Sequence, residues 1–294
     1  MSSLAPHPMT GQDAFSPPEV ARLVETRGVA KATAPFLTTL VLGVVAGAFI
    51  ALGAVLSTTI ATGSGLGFGP TRWLAGVGFS LGLILVVVAC AELFTGNNLI
   101  VMSAVSGRVP IRRLLANWGV VYLGNAIGAL SVVAMVVVAE WWRQDDLGVG
   151  AVALTTAAAK TSLPFLVVLA RGVLANALVC LAVWLAAAGR SVIDKVAAIV
   201  FPIAAFVAAG FEHSIANLYF IPMGLALREE PAVVTAAQIP QDRLATLDLG
   251  GFVNNLVAAT IGNVIGGAVL VGLVYWFVYI RPQEASGASG SMKP

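Results

Sequence analysis

The chain carries little charge. Of its 294 residues, 16 are Lys or Arg and 14 are Asp or Glu, so 10% are charged, against about 25% in a soluble domain. That scarcity excludes an ordinary soluble protein, and a net charge of +2 gives no footing for nucleic acid. Cysteine and histidine are equally scarce, two of each. Cys90 and Cys180 both fall in apolar runs, where a thiol packs as a small hydrophobe, so neither a disulfide framework nor a cysteine-bound metal is expected. Motifs for a catalytic serine, a metal or a cofactor are missing, which argues against an enzyme and implies no cofactor. A cleavable leader is not expected either: residues 1–34 are polar and proline-bearing, and the first apolar run is too long for a signal segment.

What the chain has is hydrophobicity. Apolar residues make up 59% of it and the mean hydropathy is +0.94. Six runs can cross a hydrocarbon core, which takes about 20 residues: 36–60, 73–107, 114–139, 161–188, 196–227 and 250–280. The expected fold is an all-α membrane protein of six spans. A cytoplasmic segment, 1–34, precedes the channel-forming part, 35–281, and a Gly/Ser-rich tail, 282–294, expected to be disordered, follows it. Ser-Pro-Pro-Glu at 16–19 is a helix-start signature, and 16–31 is expected to be an amphipathic helix on the membrane surface.

Runs two and five are too long for one simple crossing. Each carries a glutamate near its centre and then a polar stretch, Glu92-Leu93-Phe94-Thr95-Gly96-Asn97-Asn98 and Glu212-His213-Ser214-Ile215-Ala216-Asn217. Interrupted segments at matching places in two three-span halves point to an inverted 3+3 repeat around a central pathway. Backbone freed by an interruption must be buried in protein or line a wet cavity, so the two breaks are expected to meet near that pathway. With the N-terminus inside, ten Lys and Arg fall on inner segments and five on outer loops, which places both termini in the cytoplasm.

His213 is the sharpest clue. An ionisable group at bilayer depth costs about 2.5–3.5 kcal/mol even on a lenient scale, and such groups face cavities or solute paths. Beside a break it can donate a proton or a hydrogen bond to an anion. Glu92 and Glu212 are expected to support the breaks by accepting from freed backbone N–H groups, with Gly96 supplying backbone freedom. Thr95 offers a hydroxyl to a solute or to a helix end. Lys160, just outside span four, is either a solvated lysine or a cation that gathers anions at a mouth. Arg171 lies deeper and must find a carbonyl or a carboxylate. Phe79, Leu83, Phe94 and Phe206 fall close by and can close a passage by excluding water.

The stretches Ala91-Glu92-Leu93-Phe94-Thr95-Gly96-Asn97 and Gly210-Phe211-Glu212-His213-Ser214-Ile215-Ala216-Asn217 resemble the two signatures of the formate/nitrite transporter family. The likeness extends through Phe220-Ile221-Pro222-Met223-Gly224, Leu174–Trp184, Gly189–Lys195 and Thr260–Gly267, covers about residues 20–281, and leans to the formate-channel branch. It implies an aquaporin-like protomer in a homopentamer, one pore per protomer, in a bacterial inner membrane. The family's pore histidine falls on His213, its loop residue on Thr95, its vestibule lysine on Lys160 and a pore-side asparagine on Asn176. Constrictions fall on Leu83, Leu93 and Phe94 on one side and on Phe79 with Phe206 on the other, and Asn217 stands with Glu212 behind the second break. The implied substrate is a small monovalent weak-acid anion: formate first, with nitrite, hydrosulfide, acetate and lactate as alternatives, and protons as co-substrate. Two departures stand out: Gly96-Asn97-Asn98 where formate channels carry a Ser-Thr pair, and Arg171 in place of an apolar residue. The rivals are an aquaporin-like channel for neutral solutes, against which no Asn-Pro-Ala occurs, and an intramembrane enzyme on Glu92, Glu212 and His213. The enzyme is disfavoured because the adjacent Ser214 does not face His213 as a nucleophile faces its base.

Overall fold

The structure is a computed structural model that describes residues 14–281; the expected tail, 282–294, and the first part of the 1–34 segment lie outside the described residues. Every regular element among the described residues is helical. In chain order these are α1 (Pro17–Thr33), α2 (Phe36–Ala61), α3 (Phe68–Val88), α4 (Val101–Val105), α5 (Ile111–Val138), α6 (Gly148–Thr161) and α7 (Phe165–Ala188). Then come α8 (Val192–Ala208), α9 (Ser214–Leu227), the short α10 (Pro231–Ala237) and α11 (Gln241–Ala245), and α12 (Leu249–Val264). A 3-10 turn, Gly96–Ile100, leads into α4, and α12 continues in wider π-helical turns over Ile265–Leu273 and Trp276–Ile280.

Five of these helices are long and apolar enough to cross a membrane: α2, α3, α5, α7 and Leu249–Ile280. The run read as an interrupted fifth span comprises two shorter helices, α8 of 17 residues and α9 of 14. Starts are set locally. Proline occupies the cap of α2, α5 and α7 at Pro35, Pro110 and Pro164, where its fixed φ suits the entry and its missing N–H costs nothing. At α1 the Glu19 carboxylate accepts from both the N–H and the hydroxyl of Ser16. At α8 Ser191 and Asp194 bond reciprocally.

Small residues let the long helices touch. A Cβ at Gly47 on α2 would lie 2.0 Å from the Asn125 carbonyl oxygen on α5, and one at Gly128 would lie 1.9 Å from that of Val44. The pair α7 and α12 repeats this: a Cβ at Gly262 would lie 2.3 Å from the Leu169 carbonyl oxygen, and one at Gly266 would lie 2.1 Å from that of Val173. Such close approach is how spanning helices gain packing where lipid supplies no hydrophobic drive.

The helix expected on the membrane surface docks on protein. Val20, Ala21 and Val24 of α1 pack with Leu99, Met102, Cys180 and Trp184. Ser103 donates to the Glu25 carbonyl at 2.6 Å, and Arg108 pairs with the Glu25 carboxylate at 3.0 Å.

Candidate functional site

Both breaks are built alike. After α3 the chain turns at Cys90 with φ 57°, and after α8 it turns at Gly210 with φ 73°. The next N–H closes each helix end, Ala91 to the Val86 carbonyl at 2.9 Å and Phe211 to that of Phe206 at 3.1 Å, the bond of a left-handed C-terminal cap. Each following glutamate donates its N–H across to a neighbouring span, Glu92 to Leu42 at 3.2 Å and Glu212 to Arg171 at 3.4 Å.

Two buried asparagines then stitch the breaks to α5 and α12. Asn125 on α5 donates to the carbonyls of Gly43 (2.7 Å) and Glu92 (2.9 Å) and accepts from the Phe94 N–H (2.9 Å). Asn263 on α12 donates to Gly172 (2.8 Å) and Glu212 (3.0 Å) and accepts from the Ser214 N–H (2.8 Å). At the breaks, these side chains satisfy the backbone groups of Glu92, Phe94, Glu212 and Ser214, and left unmet each such group costs about 1–3 kcal/mol.

The glutamate carboxylates find partners other than the freed backbone N–H groups expected of them. Their carboxylates accept from side chains rather than from freed backbone N–H groups, because the asparagines already take those. Glu92 accepts from Lys31 Nζ at 2.9 Å and Asn97 Nδ2 at 2.6 Å. Glu212 accepts from Lys160 Nζ at 3.0 and 3.1 Å and from Asn217 Nδ2 at 2.7 Å. Asn117 and Asn255 complete the two sets. Each accepts from the asparagine beside the glutamate, at 2.9 and 2.7 Å, and donates to the carbonyl of the lysine, at 3.1 and 3.0 Å. Lys31, Asn97, Asn117, Asn125, Asn255 and Asn263 are site residues that the sequence reading did not single out. Asn117 and Asn125 on α5 and Asn255 and Asn263 on α12 share one spacing, which was the available signal.

His213 is where the two breaks differ. The matching position of the first break holds Leu93, whose carbonyl accepts from Asn97 as that of His213 accepts from Asn217, both at 2.9 Å. The His213 ring is 2% exposed. Its Nδ1 accepts the Ala216 N–H at 3.1 Å and caps α9, and its Nε2 lies 2.9 Å from Thr95 Oγ. An Nδ1 that accepts carries no proton, so the neutral ring holds its hydrogen on Nε2 and donates it to Thr95. The Thr95 hydroxyl hydrogen then remains to donate elsewhere. Protonating Nδ1 sets two donors against each other and requires the ring to leave its cap.

Asn176 is fully buried and its amide is occupied, donating to the carbonyls of Thr95 (3.3 Å) and Asn263 (2.7 Å) and to Asn98 Oδ1 (2.8 Å). It holds Thr95 by its backbone. Gly267 allows this approach: a Cβ there would lie 2.3 Å from Asn176 Nδ2.

Two cavities flank the pair. One, of about 350 Å³, is lined on the α1 side by Leu83, Leu93, Gly96, Lys31, Arg27 and Lys195. The other, of about 300 Å³, is lined on the α6 side by Phe79, Phe206, His213, Asn217, Lys160 and Arg171. Phe79 and Leu83 are one turn apart on α3, about 6 Å along the axis, so neighbouring turns of α3 contribute to the two linings. Phe206 meets Phe79 edge-on at 5.5 Å and stacks on the His213 ring at 6.0 Å. Phe94 instead packs against Tyr122 and Trp118 at 4.9 and 6.1 Å. Thr95 lines neither cavity and reaches the pathway through His213. Arg171 finds the carbonyl partner expected of it, Gly210, at 3.3 Å.

The model of the formate/nitrite transporter family matches residues 18–277. The chain belongs to the formate/nitrite transporter family. It is 42% identical over 276 residues to the formate channel FocA of Escherichia coli K12, covering 92% of this chain and 97% of that one. To the formate channel FocA of Haemophilus influenzae it is 38% identical, over 88% of this chain and 93% of the other. Among solved structures it resembles a pentameric formate channel with formate bound, with a TM-score of 0.77 and 36% identity over 83% of this chain and 98% of that one. Members of this family are membrane transporters and channels, and the intramembrane-enzyme reading falls with the family assignment.

Proposed function

We propose that this protein conducts formate, or a similarly small monovalent weak-acid anion, through a pore in each protomer of a homopentamer. One observation carries the reading. The His213 and Thr95 donors stand between two cavities, each of which holds a lysine. The relatives named formate channels support the choice of formate, and the similar solved structure, a pentameric formate channel, supports the assembly. The protomer has six crossings, with α3 and α4 forming the second and α8 and α9 the fifth. Its halves are an inverted repeat, supported by the paired Lys–Glu–Asn–Asn sets. Each half begins with a peripheral helix, α1 or α6, that delivers a lysine. Both termini face the cytoplasm of a bacterial cell, which makes the α6 side the outer one.

The arriving anion enters a vestibule and meets His213. One neutral donor meets it there, the His213 Nε2–H, which turns from the Thr95 hydroxyl to the anion and replaces part of the water a carboxylate leaves behind, while Thr95 holds the ring until then. A bare anion crossing the apolar collars at Phe79, Phe206, Leu83 and Leu93 carries a large desolvation cost. Desolvation also raises the anion's own basicity, so it combines with a proton delivered from bulk solvent through the vestibule and passes as the neutral acid. The cap on Nδ1 favours hydrogen-bond donation over proton donation by His213 in this geometry. Asn176 supports the step by fixing Thr95, and Glu92, Glu212, Gly96 and Asn217 support it by fixing the breaks.

Uptake of formate into proteoliposomes by His213→Gln and His213→Phe tests this reading. Glutamine keeps a neutral donor near the Nε2 position and cannot ionise, whereas phenylalanine offers no donor. The expected result is measurable, pH-dependent uptake by the glutamine variant and loss of uptake by the phenylalanine variant. Equal loss in two variants that fold and assemble as wild type would refute the hydrogen-bond role.

A further inference from the structure

The lysine on the α6 side contributes little net charge to its cavity, because both oxygens of the Glu212 carboxylate lie 3.0 and 3.1 Å from its Nζ. Two other cations line the same space, Arg72 from α3 and Arg171 from α7. Among the described residues neither belongs to an ion pair; both reach backbone carbonyls. Arg72 donates to Val207 and, at 3.5 Å, to Ala208, and Arg171 donates to Gly210 at 3.3 Å. Those oxygens belong to the C-terminal end of α8 and the turn after it. An unsatisfied helix C-terminus carries about half a negative charge, which repels an anion approaching His213. A guanidinium on a neutral carbonyl cancels that field and keeps most of its own charge.

Deepening the anion-channel reading on which it rests, we infer that Arg72 and Arg171, rather than Lys160, gather anions on the α6 side. They form an entry subsite for a small carboxylate or oxyanion, beside the Thr155 and Thr156 residues that also line the cavity. The internal repeat strengthens the case. The position of the first half that matches Arg171 is Leu42, since Glu92 bonds the Leu42 carbonyl as Glu212 bonds that of Arg171. Carrying the same register from the paired glutamates back along α3 and α8 sets Arg72 against Val192. The first break therefore has no arginine clamp. The α1-side cavity draws two extra cations from other positions, Arg27 and Lys195. Each mouth thus holds a lysine neutralised by its glutamate and two further cations from non-equivalent places. Repetition of structure alone does not give that distribution; a requirement for positive charge at both mouths does.

The test compares wild type, Arg171→Leu, Arg72→Met, the double variant and Arg171→Lys in vesicles of known orientation. Initial formate flux is measured from each side, at sub-saturating formate, at about 10 mM and about 1 M ionic strength. These correspond to screening lengths of about 30 and 3 Å. At low salt the double variant is expected to lose about tenfold in entry from the α6 side, the scale of electrostatic focusing into a cleft. The loss should shrink at high salt, entry from the α1 side should hold at sub-saturating formate, and lysine at 171 should restore most of the single-variant loss. An equal loss from both sides that salt does not alter, or no loss at all, would overturn the inference and leave the arginines as structural caps. A wild type that carries no anion from either side would instead refute the underlying channel reading.

Discussion

Removing the Glu212 charge with Glu212→Gln leaves the Lys160 ammonium without a counter-ion in a setting where its side chain is 13% exposed. A buried pair broken on one side costs about 3–5 kcal/mol, since an uncompensated charge stays behind. The reverse change, Lys160→Met, is expected to cost less, about 2–3 kcal/mol on the same scale, because Asn217 still donates to the carboxylate at 2.7 Å and Asn255 at 3.4 Å. The double variant should recover most of the loss, giving a coupling of about 2 kcal/mol or more in a double-mutant cycle. The matching pair, Lys31 and Glu92, is more open, with the lysine side chain 34% exposed, so its coupling should be near 1 kcal/mol or below. Reversible unfolding in mixed micelles measures both cycles. Equal couplings at the two pairs, or a coupling below about 0.5 kcal/mol at Lys160–Glu212, would refute the reasoning that burial sets their strength.

Other consequences follow from the same contacts. Asn263→Ala strips three hydrogen bonds from the second break and should destabilise the protein by about 3 kcal/mol, read by unfolding in micelles, with Asn125→Ala costing a similar amount. Cys90 holds φ 57° in a conformation natural to glycine, and left-handed backbone costs a non-glycine residue about 1–2 kcal/mol. Cys90→Gly should therefore raise stability by about 0.5–1 kcal/mol once the greater freedom of the unfolded glycine is offset. At the start of α8 the Ser191 N–H, then its hydroxyl, and then the Arg190 N–H hold the Asp194 carboxyl below its ordinary value of 3.8. That cap contributes at neutral pH and is lost as pH falls through the depressed value. Amide exchange in the first turn of α8 should accordingly quicken below about pH 4 in wild type and show no such step in Asp194→Asn.

Residues whose chemistry clashes with lipid were the legible ones. Glu92, Glu212 and His213 stand out in apolar runs, and the breaks around them follow from the polar residues beside them. The partners were hidden because tertiary packing chose them. The freed N–H groups of Phe94 and Ser214 went to Asn125 and Asn263, which lie whole helices away in sequence. The carboxylates were then left to Lys31 and Lys160. Lys31 looked like surface charge on an amphipathic helix, and nothing in that helix's periodicity says that its face meets Leu99 and Met102 rather than lipid headgroups. Family resemblance alone points to Asn176, and the three acceptors of its amide come from distant parts of the sequence. The interruption of the fifth apolar run was legible, and it leaves α8, at 17 residues, shorter than the about 20 residues a hydrocarbon core needs.

In the proposed function a neutral donor, His213, held between cavities with cationic mouths, meets a weak-acid anion that crosses as the neutral acid. Initial uptake into proteoliposomes of the purified protein, at about pH 5 and 7.5, with formate, nitrite, hydrosulfide, water and glycerol compared, tests it most directly. Saturable anion uptake that quickens as pH falls is expected, with formate among the best substrates and no rise in water or glycerol permeation. Rapid water or glycerol entry without anion uptake, or anion uptake indifferent to pH, would contradict it.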